Sequence, residues 1–140
     1  MTPSTVAIAL GSNLGDRALH LRRAIHELRS VMSVVRVSPM YETKPVDAPA
    51  GSPDFLNMAV SGWTHLPPLA FLHALLAIEK RLGRVRRGRN APRTIDLDLI
   101  LHDACRMRTR ELTLPHPRAR EREFVLTPLR AIGVPLHSLA

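Results

Sequence analysis

The run Arg93-Thr94-Ile95-Asp96-Leu97-Asp98-Leu99-Ile100-Leu101 reads as an apolar strand with two carboxylates set into it. Along a strand, residues i and i+2 share a face and lie about 6.6 Å apart. Asp96 and Asp98 therefore form a like-charged pair on one face. Ile95, Leu97 and Leu99 point to the other, into a core. Two unpaired carboxylates at that spacing repel, and one tends to keep its proton. A divalent cation removes the conflict. Mg²⁺ is typically held by one or two carboxylates together with substrate phosphates. Two such ions about 3.5–4 Å apart can clamp an in-line phosphoryl displacement. The plainer alternative is two aspartates on a solvated sheet face, paired with Arg93 or a neighbour.

The residues just before the pair favour the cation. Arg84, Arg86, Arg87, Arg89 and Arg93 crowd the preceding stretch. Metal ligands on one side and cationic donors on the other are what a Mg²⁺–polyphosphate complex requires. A charge run is more often a solvated loop, but its adjacency to the aspartates favours the paired reading. The whole chain carries 20 Lys+Arg against 12 Asp+Glu, a net +8. Most of that excess is arginine, whose planar fork suits phosphate. An anionic partner follows: nucleic acid, a nucleotide or a phosphorylated substrate. Compositional bias explains any single arginine equally well.

Other phosphate and catalytic signatures are missing. There is no G-x-x-x-x-G-K-[ST] loop, and Gly11-Ser12-Asn13-Leu14-Gly15 lacks the lysine. No H-E-x-x-H, nucleophile elbow or cysteine pair occurs. The Pro- and Gly-rich stretch 43–54 is a loop long enough to be functional in a small domain. It runs into Phe55-Leu56-Asn57. Phe55 and Phe124 suit a core; facing one cleft, they would stack on a flat heterocycle. Asn57 would then read its edge, since an amide both donates and accepts. His116, held between Pro115 and Pro117, is either a positioned ligand contact or a structural turn residue.

These side chains need a scaffold. With 140 residues, 45% of them hydrophobic, the chain suits a single domain, 1–140, with a proper core. No apolar run reaches the roughly 18 residues of a membrane span, and the first residues lack the basic start of a signal peptide. Cys105, the one cysteine, fits a reducing cytoplasm. Residues 5–10 read as a strand. Asp16 sits at an N-cap, before Leu21, Ala24, Ile25, Leu28 and Val31 at helical spacing. Residues 34–41 and 55–63 read as strands. Pro67 and Pro68 start a second helix through Leu69, Leu72, Leu76 and Leu82. Residues 94–101 form the aspartate strand, and 112–117 an extended piece with a turn. Residues 124–132 form a final short helix despite Pro128. The order β-α-β-β-α-β with a C-terminal extension is the ferredoxin-like α+β pattern, an antiparallel sheet with helices on one face.

Taken together, these segments resemble the 6-hydroxymethyl-7,8-dihydropterin pyrophosphokinase family over nearly the whole chain. The stretch 89–100, Arg-Asn-Ala-Pro-Arg-Thr-Ile-Asp-Leu-Asp-Leu-Ile, fits the family's long signature. Gly11–Asp16, Tyr41–Val46, Phe55–Asn57, Leu114–Pro117 and Arg122–Leu129 support it. The resemblance implies transfer of pyrophosphate from ATP to the pterin's hydroxymethyl group, with release of AMP, on a ferredoxin-like fold with two Mg²⁺ ions. It implies Asp96 and Asp98 as metal ligands, Phe55 and Phe124 as the pterin sandwich, and Asn57 as the reader of the pterin edge. Thr43, Pro45 and Val46 line that pocket. Glu79, Arg84, Arg86, Arg89, Arg93, Leu99, Thr113, His116 and Arg122 belong with ATP, and Arg86 and Arg93 with transition-state charge. Asn90 stands where many members carry an aromatic residue, and Lys44 and Pro117 also depart from some members.

The expected partners are therefore ATP and the pterin, with no nucleic acid and no membrane, for a cytoplasmic monomer. A small basic module on RNA or single-stranded DNA is the competing class. It would need aromatic platforms, but the chain is only 4% aromatic and its best strand carries two aspartates. A paralogue that binds but no longer catalyses is the third reading, and Asn90 is its only support.

Overall fold

The computed structural model describes residues 2–45, 50–84 and 93–140. Strand β1, Ser4–Ser12, alternates large and small side chains. Val6, Ile8 and Leu10 fall on one face, Ala7 and Ala9 on the other. That alternation decides what each face of the sheet can receive.

Helix α1, Arg17–Leu28, starts where Asp16 accepts a hydrogen bond from Leu19 N at 3.1 Å, as an N-cap should. It buries Leu21, Ala24 and Leu28. Helix α2, Pro68–Arg81, opens with proline at its first position. It turns Phe71, Leu75 and Ile78 inward, and with them Glu79. Both helices share one core layer with Val6, Ile8 and Leu10 of β1.

The remaining strands are β2 (Ser33–Val37), β3 (Tyr41–Thr43), β4 (Phe55–Thr64) and β5 (Asp96–His102). The sheet order is β2-β4-β1-β5, with β3 pairing the first residues of β4. Every pairing in it is antiparallel. A short hairpin, β6 (Met107–Arg108) with β7 (Thr113–Leu114), stands beside it. Helix α3, Glu123–Ala131, contains Pro128 and packs on the opposite face from α1 and α2. Its Val125, Leu126 and Leu129 meet Ala7, Ala59 and Ile100.

Two expectations are corrected here, and one element was missed. The helices are not confined to one face, because the small residues of β1 leave room for α3 on the other. Residues 34–41 are not one strand: Ser38 N donates to Ala59 O, and Ala59 N donates to Ser38 Oγ, both at 2.9 Å. Pro39, which has no N–H, follows and separates β2 from β3. The β6–β7 hairpin went unread, since two-residue strands carry no periodicity. No helix among the described residues is long and apolar enough to cross a membrane.

Gly62 of β4 lies between Val6 and Val34. A Cβ there would run into the Ser33 carbonyl and stand 3.0 Å from the Met32 methyl. Gly62→Ala is expected to cost roughly 1–3 kcal/mol through overpacking, read as a lower urea midpoint. An unchanged midpoint contradicts the close approach.

Candidate active site

Across β1, Asp96 lies opposite Gly11 and Asp98 opposite Ala9. Two carboxylates facing two of the smallest residues leave space above the sheet. That space is a cavity of about 600 Å³, closed on its far side by the start of α3. Ile95, Leu97 and Leu99 are buried beneath, on the α1 and α2 side, as the alternation predicts.

The aspartates sit in unlike surroundings. Asp96 is paired: Arg84 Nη1 donates to its Oδ1 at 2.9 Å, and Arg93 Nη1 lies 3.6 Å from its Oδ2. No hydrogen bond or ion pair from the described residues reaches the Asp98 carboxylate. Burial pushes its carboxyl up from the ordinary 3.8 to about 7, and the charges of Asp96 and Glu79 add to the rise. Arg122 and Arg84 oppose it. A second cationic charge at Asp98 would relieve both the burial and the repulsion. Among the described residues no group of three or more His, Cys, Asp or Glu is set to hold a metal.

The cavity also has aromatic walls. Phe55 and Phe124 both line it. Each ring carries a guanidinium: Arg93 stands 5.9 Å from the Phe55 centroid and Arg122 5.5 Å from that of Phe124. Asn57 is nearly buried and its Nδ2 donates to Thr43 Oγ1 at 2.5 Å. That bond fixes the amide and leaves Oδ1 directed towards Gly11, where an added Cβ would stand 3.2 Å from it. Arg17 ties both ends of the 43–54 stretch to α1, donating to Glu42 at 2.8 Å and to Asp54 O at 3.0 Å.

Not every expected residue joins this cavity. Thr43, Phe55, Asn57, Arg93, Asp96, Asp98, Arg122 and Phe124 line it. Thr113 and His116 line a second cavity of about 690 Å³, beside Arg106, Arg108 and Arg120. His116 N donates to Ile100 O at 3.0 Å, which ties that wall to β5. Burial, with Arg122 nearby, holds the His116 imidazole below its usual pKa. Leu99 is in the core and offers a ligand only its backbone. Glu79 is buried against Leu97 and Arg84. Pro45 is half-buried and does not line the cavity. Val46, Arg86, Arg89 and Asn90 lie outside the described residues.

Sequence reasoning missed two contributors. Gly11 supplies the clearance beneath Phe55 and Asn57. Asn13, almost fully buried, clamps the backbone of Arg93. Arg93 N donates to its Oδ1 at 2.8 Å, and Asn13 N donates to Arg93 O at 3.1 Å. Both needed the third dimension: the first strand register, and the second a contact eighty residues away in sequence.

The Asp98 environment has a consequence for stability. Its folded pKa, about 7, lies above its unfolded value, so between about pH 4 and 7 the folded state holds the extra proton. That contribution is full below the unfolded pKa and is lost as pH rises through about 7. Asp98→Asn, which keeps the neutral form at all pH values, is expected to gain on the wild type as pH rises from 5 to 8. Parallel urea-denaturation profiles for the two proteins would overturn this account.

The model of the 7,8-dihydro-6-hydroxymethylpterin-pyrophosphokinase family matches residues 7–134. A Bacillus subtilis protein named 2-amino-4-hydroxy-6-hydroxymethyldihydropteridine pyrophosphokinase is 46% identical over 127 residues, which are 89% of this chain and 75% of that one. A mitochondrial folate synthesis bifunctional protein of Arabidopsis thaliana is 43% identical over 91% of this chain, but only 23% of its own length is covered. Among solved structures, a Plasmodium falciparum HPPK-DHPS variant with pterin and p-hydrobenzoate superposes with a TM-score of 0.73. It is 14% identical, covering 94% of this chain and 41% of that one, a likeness of fold alone. By the family match and the Bacillus relative, the chain belongs to the 7,8-dihydro-6-hydroxymethylpterin-pyrophosphokinase family.

Proposed function

We propose that the cavity between β5 and α3 is where this chain joins its two substrates, Mg²⁺–ATP at the aspartate end and the pterin at the aromatic end. Family membership makes the chain an enzyme of folate biosynthesis that transfers pyrophosphate from ATP to 6-hydroxymethyl-7,8-dihydropterin. The observation that carries the residue assignment is that Asp96, Asp98 and Arg93 share one cavity with Phe55, Asn57 and Phe124.

The pterin ring stacks between Phe55 and Phe124, and Asn57 Oδ1 accepts from the pterin edge. Thr43 holds that amide in orientation. Pro45 and Val46 complete the pocket in this reading. The hydroxymethyl oxygen then attacks the β-phosphorus of ATP; its bond to phosphorus forms as the bond to the AMP oxygen breaks, and the alcohol proton is released. Asp96 and Asp98 would hold the metal, two ions in this proposal. When bound, Mg²⁺ neutralises phosphate charge and makes the attacking alcohol more acidic.

Arg93 reaches both ends, lying over Phe55 and towards Asp96, and so suits the charge that develops on the transferred group. Arg86 and Arg89 belong with the same phosphates, as do Arg84 and Arg122. Thr113 and His116 suit the nucleotide on the adjoining wall, and Glu79 and Leu99 are assigned to it with them. The ferredoxin-like reading of the sheet is supported by the order β2-β4-β1-β5 with all pairs antiparallel. A cytoplasmic monomer remains the proposed form.

Two substitutions test the assignment. Asp98→Ala is expected to leave the circular dichroism spectrum intact and lower pterin-dependent AMP formation by at least about 10²-fold, the scale of a lost electrostatic contact. Near-normal AMP formation would sink the metal assignment. Gly11→Ala, which crowds Asn57 and Phe55, is expected to weaken pterin binding while ATP binding holds, as read by calorimetry. Equal losses for both ligands would remove Gly11 from the pterin pocket.

A further inference from the structure

Glu79 brings a carboxylate that the transfer chemistry does not use. It lies in the last turn of α2 and is 4% exposed. A buried glutamate needs partners, and this one concentrates them on a single oxygen. Its Oε2 accepts from Leu97 N at 2.7 Å and from Arg84 Nη1 at 2.8 Å. The same Arg84 nitrogen donates to Asp96 Oδ1 at 2.9 Å.

Leu97 is the residue between the two aspartates. Strand β5 is the last in the sheet, and the Leu97 amide turns away from β1 to meet Glu79. Rotation of the peptides around Leu97 would tip the Asp96 and Asp98 side chains out of register with each other. A hydroxyl or a neutral amide could satisfy that N–H without a third negative charge beside the pair. The charge of Glu79 in fact raises the proton affinity of Asp98. A carboxylate makes the stronger, charge-assisted bond, and it also engages Arg84.

We propose that Glu79 is a positioning residue for the divalent-cation site: its Oε2 pins the backbone between Asp96 and Asp98 and seats Arg84 against Asp96. This rests on the reading of the two aspartates as metal ligands. Groups that orient ligands from outside the coordination shell typically contribute 10–100-fold to metal affinity.

The test is Mn²⁺ affinity of the full chain by EPR, with a fixed concentration of a non-hydrolysable ATP analogue. Glu79→Ala, shown to be folded by circular dichroism, is expected to bind Mn²⁺ about 10–100-fold more weakly. Glu79→Gln, which keeps an acceptor for Leu97 N, is expected to retain most of the affinity. Wild-type affinity in folded Glu79→Ala overturns the proposal, and equal losses in both variants replace positioning with net charge. Asp98→Ala serves as the control. Loss there without loss in Glu79→Ala spares the metal reading and removes this one, whereas no loss there removes both. Amide hydrogen exchange decides the matter even where Glu79→Ala does not fold. Leu97 N–H is expected to exchange slowly in the wild type, and exchange at the rate of an unbonded amide overturns the proposal.

Discussion

Three carboxylates gathered at the start of one strand are the constraint around which this molecule is arranged. Burial raises the proton affinity of Glu79 and of Asp98, the charge of Asp96 adds to both rises, and that of Glu79 adds to the second. Arg84 is held between Glu79 and Asp96, with the Arg93 guanidinium also close to Asp96. Asp98 is left partly buried beside that network, in a cavity whose opposite wall carries Arg122. Under the proposed reading, an anionic centre half-neutralised in this way receives a cation that arrives with its own phosphates.

The sheet makes that centre accessible. Large residues on one face of β1 commit α1 and α2 to a dense core, while Ala7, Ala9 and Gly11 keep the other face shallow. Helix α3 covers only part of the shallow face, and the remainder is the cavity. The division into a packed side and a working side is therefore built into an alternation of side-chain size along nine residues.

Much of this was legible in the chain. The two faces of β5 followed from period-two alternation alone, and Asp16, Pro67 and Pro68 marked helix starts that the structure keeps. What was not legible depends on contacts distant in sequence. Nothing near Asn13 announces that it clamps the backbone of Arg93, eighty residues away. Glu79 occupies a helix position that periodicity would treat as one more inward residue, and only the third dimension brings it to Leu97. The division of the expected nucleotide contacts between two cavities likewise follows from where β7 and the turn after it are placed. The second face of the sheet was misjudged because the one-face expectation came from the β-α-β-β-α-β order, which does not place the C-terminal helix.

The two outer strands of the sheet face a hazard common to all open sheets, since unpaired N–H and C=O groups invite another chain to add a strand. On β5, one of those amides is already taken by Glu79. On β2, Val35 and Val37 are 62% and 46% exposed, an apolar edge that would be an adhesive template if it were flat. It is not flat: the pairing with β4 slips between Val34 and Arg36, and Arg36 stands between the two valines. A bulge breaks the even spacing that an incoming strand must match, and two charged edges repel each other at close approach. The irregularity in β2 thus makes a poor template for strand addition, at the border of the sheet farthest from the aspartate strand.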